Sequence, residues 1–328
     1  MKYSTRQYIE EIQKSNRRYI AKAITLLEST LPQQFEQGRQ ILEQLMPDTG
    51  KSVRIGVTGV PGVGKSTFIE ALGLYLIEKG HRIAVLPIDP SSPITGGSIM
   101  GDKTRMTRLS SHPQAFIRPS PARGKLGGVA QKTKEIIMIC EAAHYDVIFV
   151  ETVGVGQSET TVASMVDCFL VLMLPNAGDE LQGIKKGILE MADLIVINKA
   201  DGPLLPSAKQ AAQEYTRALE LHRPPKTSWT PKVLICSALE STGLEALWKS
   251  ILAYQEKTMA AGEWERQRQT QISTWVQSLI DEELLIRFHQ NSQAQQLMHS
   301  LEQSMKEGSQ HPLAATRQLL DTWFASLK

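Results

Sequence analysis

The run Gly59-Val-Pro-Gly-Val-Gly-Lys-Ser66 constrains this chain more than any other feature. It satisfies the pattern G-x-x-x-x-G-K-[ST] at every fixed position. Before it, Val53-Arg-Ile-Gly-Val-Thr58 reads as a buried strand; after it, Thr67-Phe-Ile-Glu-Ala-Leu reads as a helix start. A strand, a glycine-rich loop and a helix in that order are the context in which this pattern binds phosphate. Glycines let successive backbone N–H groups turn inward around an anion, and the helix N-terminus adds its positive dipole end. Gly59, Val60, Pro61, Gly62, Val63, Gly64, Lys65, Ser66 and Thr67 are therefore candidate phosphate-binding positions. Lys65 would place a point charge on the β- and γ-phosphates, and Ser66 would offer its hydroxyl to Mg²⁺. The alternative is a glycine-rich turn that matches by chance, and the surrounding strand and helix signals count against it.

A second motif addresses the base. The apolar run Leu194-Ile-Val-Ile197 reads as a strand buried on both faces. It ends in Asn198-Lys199-Ala200-Asp201, which fits N-K-x-D, the guanine-reading motif of GTPases. A carboxylate at Asp201 accepts two hydrogen bonds from the guanine N1–H and 2-amino group. Adenine presents neither donor and would leave that carboxylate unpaired; sites of this kind discriminate by about 10⁴–10⁵. Asn198 would contact the guanine and tie down the phosphate loop, and the Lys199 stem would cover the base. Ser237, Ala238 and Leu239 follow a further strand, Val233–Cys236, and resemble the loop whose backbone N–H meets the guanine O6. Taken alone, four residues at a strand end are often only a polar turn. The order of the three motifs along the chain favours the nucleotide reading.

Between the motifs lie candidates for the metal and the switches. Asp89 ends the strand that begins at Ile83, and so falls at a carboxyl edge, where open α/β sheets bind ligands. Asp102 follows a loop rich in Pro, Ser and Gly. Both are candidate Mg²⁺ ligands, direct or through water, since a hard cation takes oxygen donors and keeps several waters. Each is otherwise a helix cap or a solvated charge. The strand Asp146–Val150 ends in Glu151-Thr152-Val153-Gly154, a D-x-x-G switch with Glu in place of Asp. Glu151 joins Ser66 as a candidate on the metal side. The Gly154 N–H would reach the γ-phosphate, a hydrogen bond that hydrolysis removes. Val155 stands where Ras-like enzymes carry a catalytic Gln, and the nearest Gln is Gln157, so unaided hydrolysis should be slow.

The expected fold is α/β: a P-loop NTPase with a mostly parallel sheet flanked by helices, and helical extensions at both ends. Three regions are expected. Residues 1–50 form a helical extension, with Ile20, Ala23, Ile24, Leu27 and Leu31 on one helix face. Residues 51–255 form the GTPase domain, with strands beginning at Val53, Ile83, Phe116, Val147, Phe169, Leu194 and Val233. Residues 262–328 are helical again, with Ile272, Trp275, Val276 and Leu279 on one face and a break at His311-Pro312. That last region, with Trp264, Trp275 and Trp323, suggests a symmetric homodimer; simple packing on the parent domain is the alternative.

Composition removes several other classes. Across 328 residues, 36 basic residues face 34 acidic ones, and no polybasic or acidic tail suggests a nucleic-acid partner. The longest apolar run, Cys168 to Leu174, is too short to cross a bilayer, and the N-terminus has no apolar signal core. Cys140, Cys168 and Cys236 are scattered beside apolar segments and read as core residues in a reducing compartment. A cytoplasmic protein with no membrane association is the expectation.

Together these residues resemble the MeaB/ArgK group of GTPases, which includes the protein of methylmalonic aciduria type A. The resemblance rests on Val57–Thr67, Asp89–Pro93 with Thr95-Gly-Gly97, Gly101–Met106, Val150–Glu159, Pro175–Gly183 and Asn198–Asp201, and weakens only near the two ends. It implies GTP or GDP bound with Mg²⁺. It further implies a chaperone of an adenosylcobalamin-dependent acyl-CoA mutase, most often methylmalonyl-CoA mutase, that gates cofactor loading and protects or reactivates the mutase. By the same resemblance, Asp179 to about Gly187 is an additional switch loop with Lys185 and Lys186 as charged contacts, and the C-terminal helices make a homodimer. By its residues alone, that loop is a solvated helix start. A P-loop kinase or transport-associated ATPase is the runner-up, against which N-K-x-D counts.

Overall fold

The computed structural model describes residues 3–88, 106–119, 126–152, 158–175, 186–221 and 228–326. Asp89, Asp102, Gly154, Val155, Gln157 and Asp179 to Lys185, with the Lys186 side chain, lie outside the described residues. The chain divides into two compact units, Met1–Gln271 and Ile272–Lys328.

The first unit is built on a seven-stranded sheet: β1 (Val53–Gly59), β2 (Ile83–Ile88), β3 (Ala115–Ile117), β4 (Val147–Thr152), β5 (Cys168–Met173), β6 (Leu194–Ile197) and β7 (Lys232–Ile235). The spatial order is β3-β2-β4-β1-β5-β6-β7, and every described pairing is parallel. All seven expected strands are present; β3, β5 and β7 start one residue earlier than the apolar pattern suggested. Parallel strands are covered on both faces, so their sequences are nearly continuous apolar runs rather than alternations. Their side chains still alternate between two separate cores. Val53, Ile55, Val57, Val147 and Phe149 enter one core; Ile148, Val150, Val171 and Ile195 enter the other.

The first core is closed by α4 (Lys65–Glu78), α5 (Thr107–Ser111) and α10 (Leu244–Ala260). The second is closed by α6 (Leu126–Ala142), α7 (Ser158–Ala163), α8 (Lys186–Glu190), α9 (Leu205–Leu221) and the three N-terminal helices. Those three are α1 (Thr5–Gln13), α2 (Arg17–Leu27) and α3 (Pro32–Leu45). The α1 start is capped by Ser4, whose Oγ accepts the Gln7 N–H at 3.2 Å, and the α2 start by Asn16. Ile20, Ala23, Ile24 and Leu27 are buried as their spacing predicts. Leu31 is not part of that face. Helix α2 ends at Leu27, Leu31 becomes the N-cap of α3 ahead of Pro32, and its side chain is 57% exposed.

An ionic network ties the amino-terminal ends of β1 and β5 to the helix α11 (Glu263–Gln290), which begins in this unit. Arg268 donates from Nε to Asp167 Oδ1 at 2.8 Å and from Nη2 to Asp167 Oδ2 at 2.7 Å. It also donates to the backbone carbonyls of Gly50 and Ser52. Asp167 is buried and accepts the Arg54 N–H at 2.9 Å, while the Arg54 side chain pairs with buried Glu141. Trp264 is likewise buried here, beside Tyr254. It therefore belongs to the sheet's core and is not one of the open-face anchors that the sequence suggested.

The second unit holds the rest of α11, then α12 (Ser292–Lys306) and α13 (Pro312–Ser326). Pro312 opens α13 at a position where a missing N–H costs nothing. Trp323 is buried, packing edge-on to Phe288 with ring centroids 5.1 Å apart. Ile272, Val276 and Leu279 are exposed, as are Ile280, Leu284 and Leu285.

All three cysteines are buried and unbridged. Burial pushes the Cys236 thiol up to about 12 and those of Cys140 and Cys168 well above their usual range, so none supplies a thiolate. No described helix is long and apolar enough to cross a membrane.

Candidate nucleotide site

The phosphate loop leaves the carboxyl end of β1, the strand between β4 and β5. Two glycines make its path possible. Gly59 has φ +152°, and a Cβ there would lie 2.5 Å from the Leu172 carbonyl oxygen. Gly64 has φ +92° as the N-cap of α4, and a Cβ there would lie 3.1 Å from Asn198 Nδ2. No side chain caps the α4 start, which leaves the dipole end and its first turn facing the loop. Lys65 Nζ folds back over the loop and donates to the Gly59 carbonyl at 2.7 Å. Its ammonium is thus held against the first two residues of the loop, with the Val60 carbonyl 3.5 Å away.

Ser66 Oγ donates to Glu151 Oε1 at 3.0 Å. Glu151 is the penultimate residue of β4, the strand adjacent to β1, and is buried on the same face of the sheet as α4. A hydroxyl and a carboxylate converging beside the phosphate loop form an oxygen donor set suited to a hard divalent cation. On the opposite face, Thr152 Oγ1 donates to Thr58 Oγ1 at 2.9 Å, and both residues are buried. Sequence reading assigned no role to either threonine.

The base motif sits at the neighbouring strand ends. Asn198 is buried, donates from Nδ2 to the Val63 carbonyl at 2.8 Å, and accepts the Ala238 N–H on Oδ1 at 3.2 Å. One amide thus joins the phosphate loop to the loop after β7. Because the Ala238 N–H is engaged by Asn198, a guanine O6 contact there would share it. Asp201 Oδ2 accepts the Ser237 hydroxyl at 2.5 Å, and Ser237 Oγ in turn accepts the Glu240 N–H at 3.1 Å. The turn between Asn198 and Asp201 is stitched to the residue just after β7 by the Ala200 N–H, which donates to the Cys236 carbonyl at 3.1 Å. Lys199 has φ +60°, a left-handed conformation rare for a residue with a long side chain. Its side chain is exposed, and its stem runs past the loop, with Cε 3.9 Å from where a Gly64 Cβ would stand. Leu239 is 80% exposed, so any role in base binding is left to its backbone.

The structure therefore brings Lys65, Ser66, Glu151, Asn198, Lys199, Asp201 and the Ser237–Leu239 loop to one edge of the sheet. This combination of parallel sheet, phosphate loop and base motif defines a P-loop GTPase.

The chain belongs to the family described as methylmalonyl Co-A mutase-associated GTPase MeaB, which matches residues 20–293. A probable GTPase of Mycobacterium tuberculosis is 50% identical over 306 residues, covering 93% of this chain and 91% of that protein. GTPase ArgK of Escherichia coli is 45% identical over 311 residues, covering 95% and 94%. The mitochondrial methylmalonic aciduria type A homolog of Mus musculus is 45% identical over 317 residues, covering 94% of this chain and 76% of that one. Among solved structures, that of a protein named LAO/AO transport system kinase superposes with a TM-score of 0.74 at 38% identity, covering 97% of both chains.

Proposed function

We propose that this GTPase acts on an adenosylcobalamin-dependent acyl-CoA mutase, methylmalonyl-CoA mutase above all, and that its nucleotide state gates loading of the mutase cofactor and protects or reactivates the enzyme. The family match over residues 20–293, whose description names methylmalonyl Co-A mutase, carries this reading, together with the methylmalonic aciduria type A name of a relative at 45% identity. At the site, Lys65 binds the β/γ-phosphates, and the start of α4 receives the phosphate charge. Asp201 reads the guanine N1–H and 2-amino group, with Asn198 holding the phosphate loop against the base pocket. Ser66 and Glu151 would hold Mg²⁺, which when bound supplies positive charge to the β- and γ-phosphate oxygens. Asp89 and Asp102 remain proposed as further ligands and Gly154 as the γ-phosphate sensor; all three lie outside the described residues.

A switch that regulates a partner must bind it with different affinity in its two states, and the partner must then shift nucleotide affinity by the same factor. Mutase affinity, measured by calorimetry with GDP and with a non-hydrolysable GTP analogue, should differ by about tenfold, or about 1.4 kcal/mol of coupling. Equal affinities would remove the switch reading and leave a GTPase without this output.

The runner-up, a P-loop kinase or transport-associated ATPase, takes its support from the name of one structural relative, an LAO/AO transport system kinase. The Asn198–Asp201 geometry favours guanine, and no described feature supplies a second acceptor site.

We place the protein in the cytoplasm on its buried free cysteines, and as a homodimer on the exposed apolar side chains of α11. A protein truncated after Gln271 keeps Trp264 and Arg268 in the first unit, and by light scattering it should be monomeric where the full chain is dimeric.

A further inference from the structure

The buried threonine pair lies between the two chain segments that carry the site. Backbone pairing between β1 and β4 runs from Val53↔Val147 to Val57↔Glu151. Beyond that point the two strands keep only their outer partners. β1 stays paired to β5 as far as Gly59↔Leu172, and β4 stays paired to β2 as far as Ile88↔Thr152. Thr58 and Thr152 are the next residues after the last β1–β4 pair. There the hydroxyl bond from Thr152 Oγ1 to Thr58 Oγ1, 2.9 Å long, takes over from the backbone ladder.

We infer that Thr58 and Thr152 are positioning residues for GTP hydrolysis: their hydroxyl bond fixes the spacing between the phosphate loop and Glu151. Thr58 is bonded directly to Gly59, the first residue of that loop, and Thr152 directly to Glu151. Side chains alternate across a sheet. The Ser66–Glu151 contact, 3.0 Å, thus lies on the α4 face, while the threonine bond lies on the other face at the same level. The two contacts straddle the gap where β1 and β4 part. The Ser66 hydroxyl, the contact on the α4 face, must also serve the metal, so the threonine bond adds to the Val57↔Glu151 backbone pair a tie that metal binding leaves in place. Displacements on the order of 1 Å in a reacting assembly can lower a rate about 10²-fold while leaving binding largely intact.

This inference rests on the GTPase activity and not on the identity of a partner. The test uses the full chain with Thr152→Val, Thr152→Ser and the double variant Thr58→Val/Thr152→Val. Valine keeps the volume and removes the hydroxyl; serine keeps the hydroxyl. The double variant leaves no hydroxyl of the pair buried alone, so it should unfold at a urea midpoint close to the parent's. In both valine variants, kcat should fall about tenfold or more while Kd for GTP and for GDP moves less than about threefold. Thr152→Ser should restore most of the rate. A stable double variant with the parental kcat would overturn the inference, as would a Thr152→Ser variant no faster than Thr152→Val. A loss of GTP affinity in proportion to the rate would instead reassign the pair to ground-state binding and overturn the positioning role. Failure of the parent itself to bind GTP would overturn the nucleotide site and this inference with it, whereas the outcomes above overturn the inference alone.

Discussion

Asn198→Ala separates two roles that the base motif combines. The buried amide makes two bonds, to the Val63 carbonyl at 2.8 Å and from the Ala238 N–H at 3.2 Å. Truncation strands one acceptor in the phosphate loop and one donor in the loop after β7. Each stranded buried group costs about 1–3 kcal/mol. Without nucleotide, the loops can relax toward water and recover part of that cost. Binding requires the phosphate loop to close again, so a cost of about one such group should appear in the affinity. That corresponds to roughly 5- to 150-fold weaker binding. Because the Nδ2 contact is to the phosphate loop and not to the base pocket, the loss should extend to a ligand with no base. Calorimetric titration with GTP, GDP and inorganic tripolyphosphate reads this directly, with a urea unfolding curve as the control for global stability. GTP affinity within twofold of the parent, or a loss seen for GTP and GDP but absent for tripolyphosphate, would show that Asn198 does not hold the phosphate loop for binding.

Three further outcomes follow from particular side chains. Asp201→Asn replaces an acceptor pair with an amide, so preference should move from GTP toward xanthosine triphosphate, whose base carries a carbonyl where guanine carries its amino group; unchanged preference in competition binding would take Asp201 out of the base pocket. Asp167→Ala leaves Arg268 and the Arg54 N–H without their buried carboxylate, and should lower unfolding stability by about 3–5 kcal/mol in urea titration. Asp193 accepts the Phe169 N–H at 2.8 Å, and burial pushes its pKa up to about 7. Below about pH 7 the native state holds a proton that the unfolded chain has already released above about pH 4, so this group's contribution falls as pH rises through that window. Relative to the parent, Asp193→Asn should therefore gain stability between about pH 4 and 7, by at most about 1.4 kcal/mol per pH unit, and the gain should level off above that.

What was legible in the sequence follows from how local each signal is. The strands announce themselves because a parallel sheet covered on both faces needs unbroken apolar runs, and all seven stand within one residue of where those runs begin. The phosphate loop was equally legible, since its glycines encode backbone angles such as φ +92° at Gly64. Asn198, Asp201 and Ser237 fell where the motif order placed them. Interactions between distant segments left no local trace. Nothing in the spacing of Asp167 and Arg268 connects residues a hundred positions apart. Trp264 reads as a free aromatic on a helix until Tyr254 is placed beside it. Leu31 continued a helical period, but the chain turned before Pro32, whose ring sets the start of the next helix. The threonine pair was hidden for the same reason: Thr58 lies one residue before the end of β1 and Thr152 ends β4, and only the strand order makes them neighbours.

On the proposed function, a mutase should complete a GTPase whose unaided hydrolysis is slow. The direct measurement is the rate of GTP hydrolysis by the full chain at saturating GTP, titrated with methylmalonyl-CoA mutase. The rate should rise and saturate with mutase concentration. A rate that stays flat across concentrations at which the two proteins are bound to one another would contradict the proposed function.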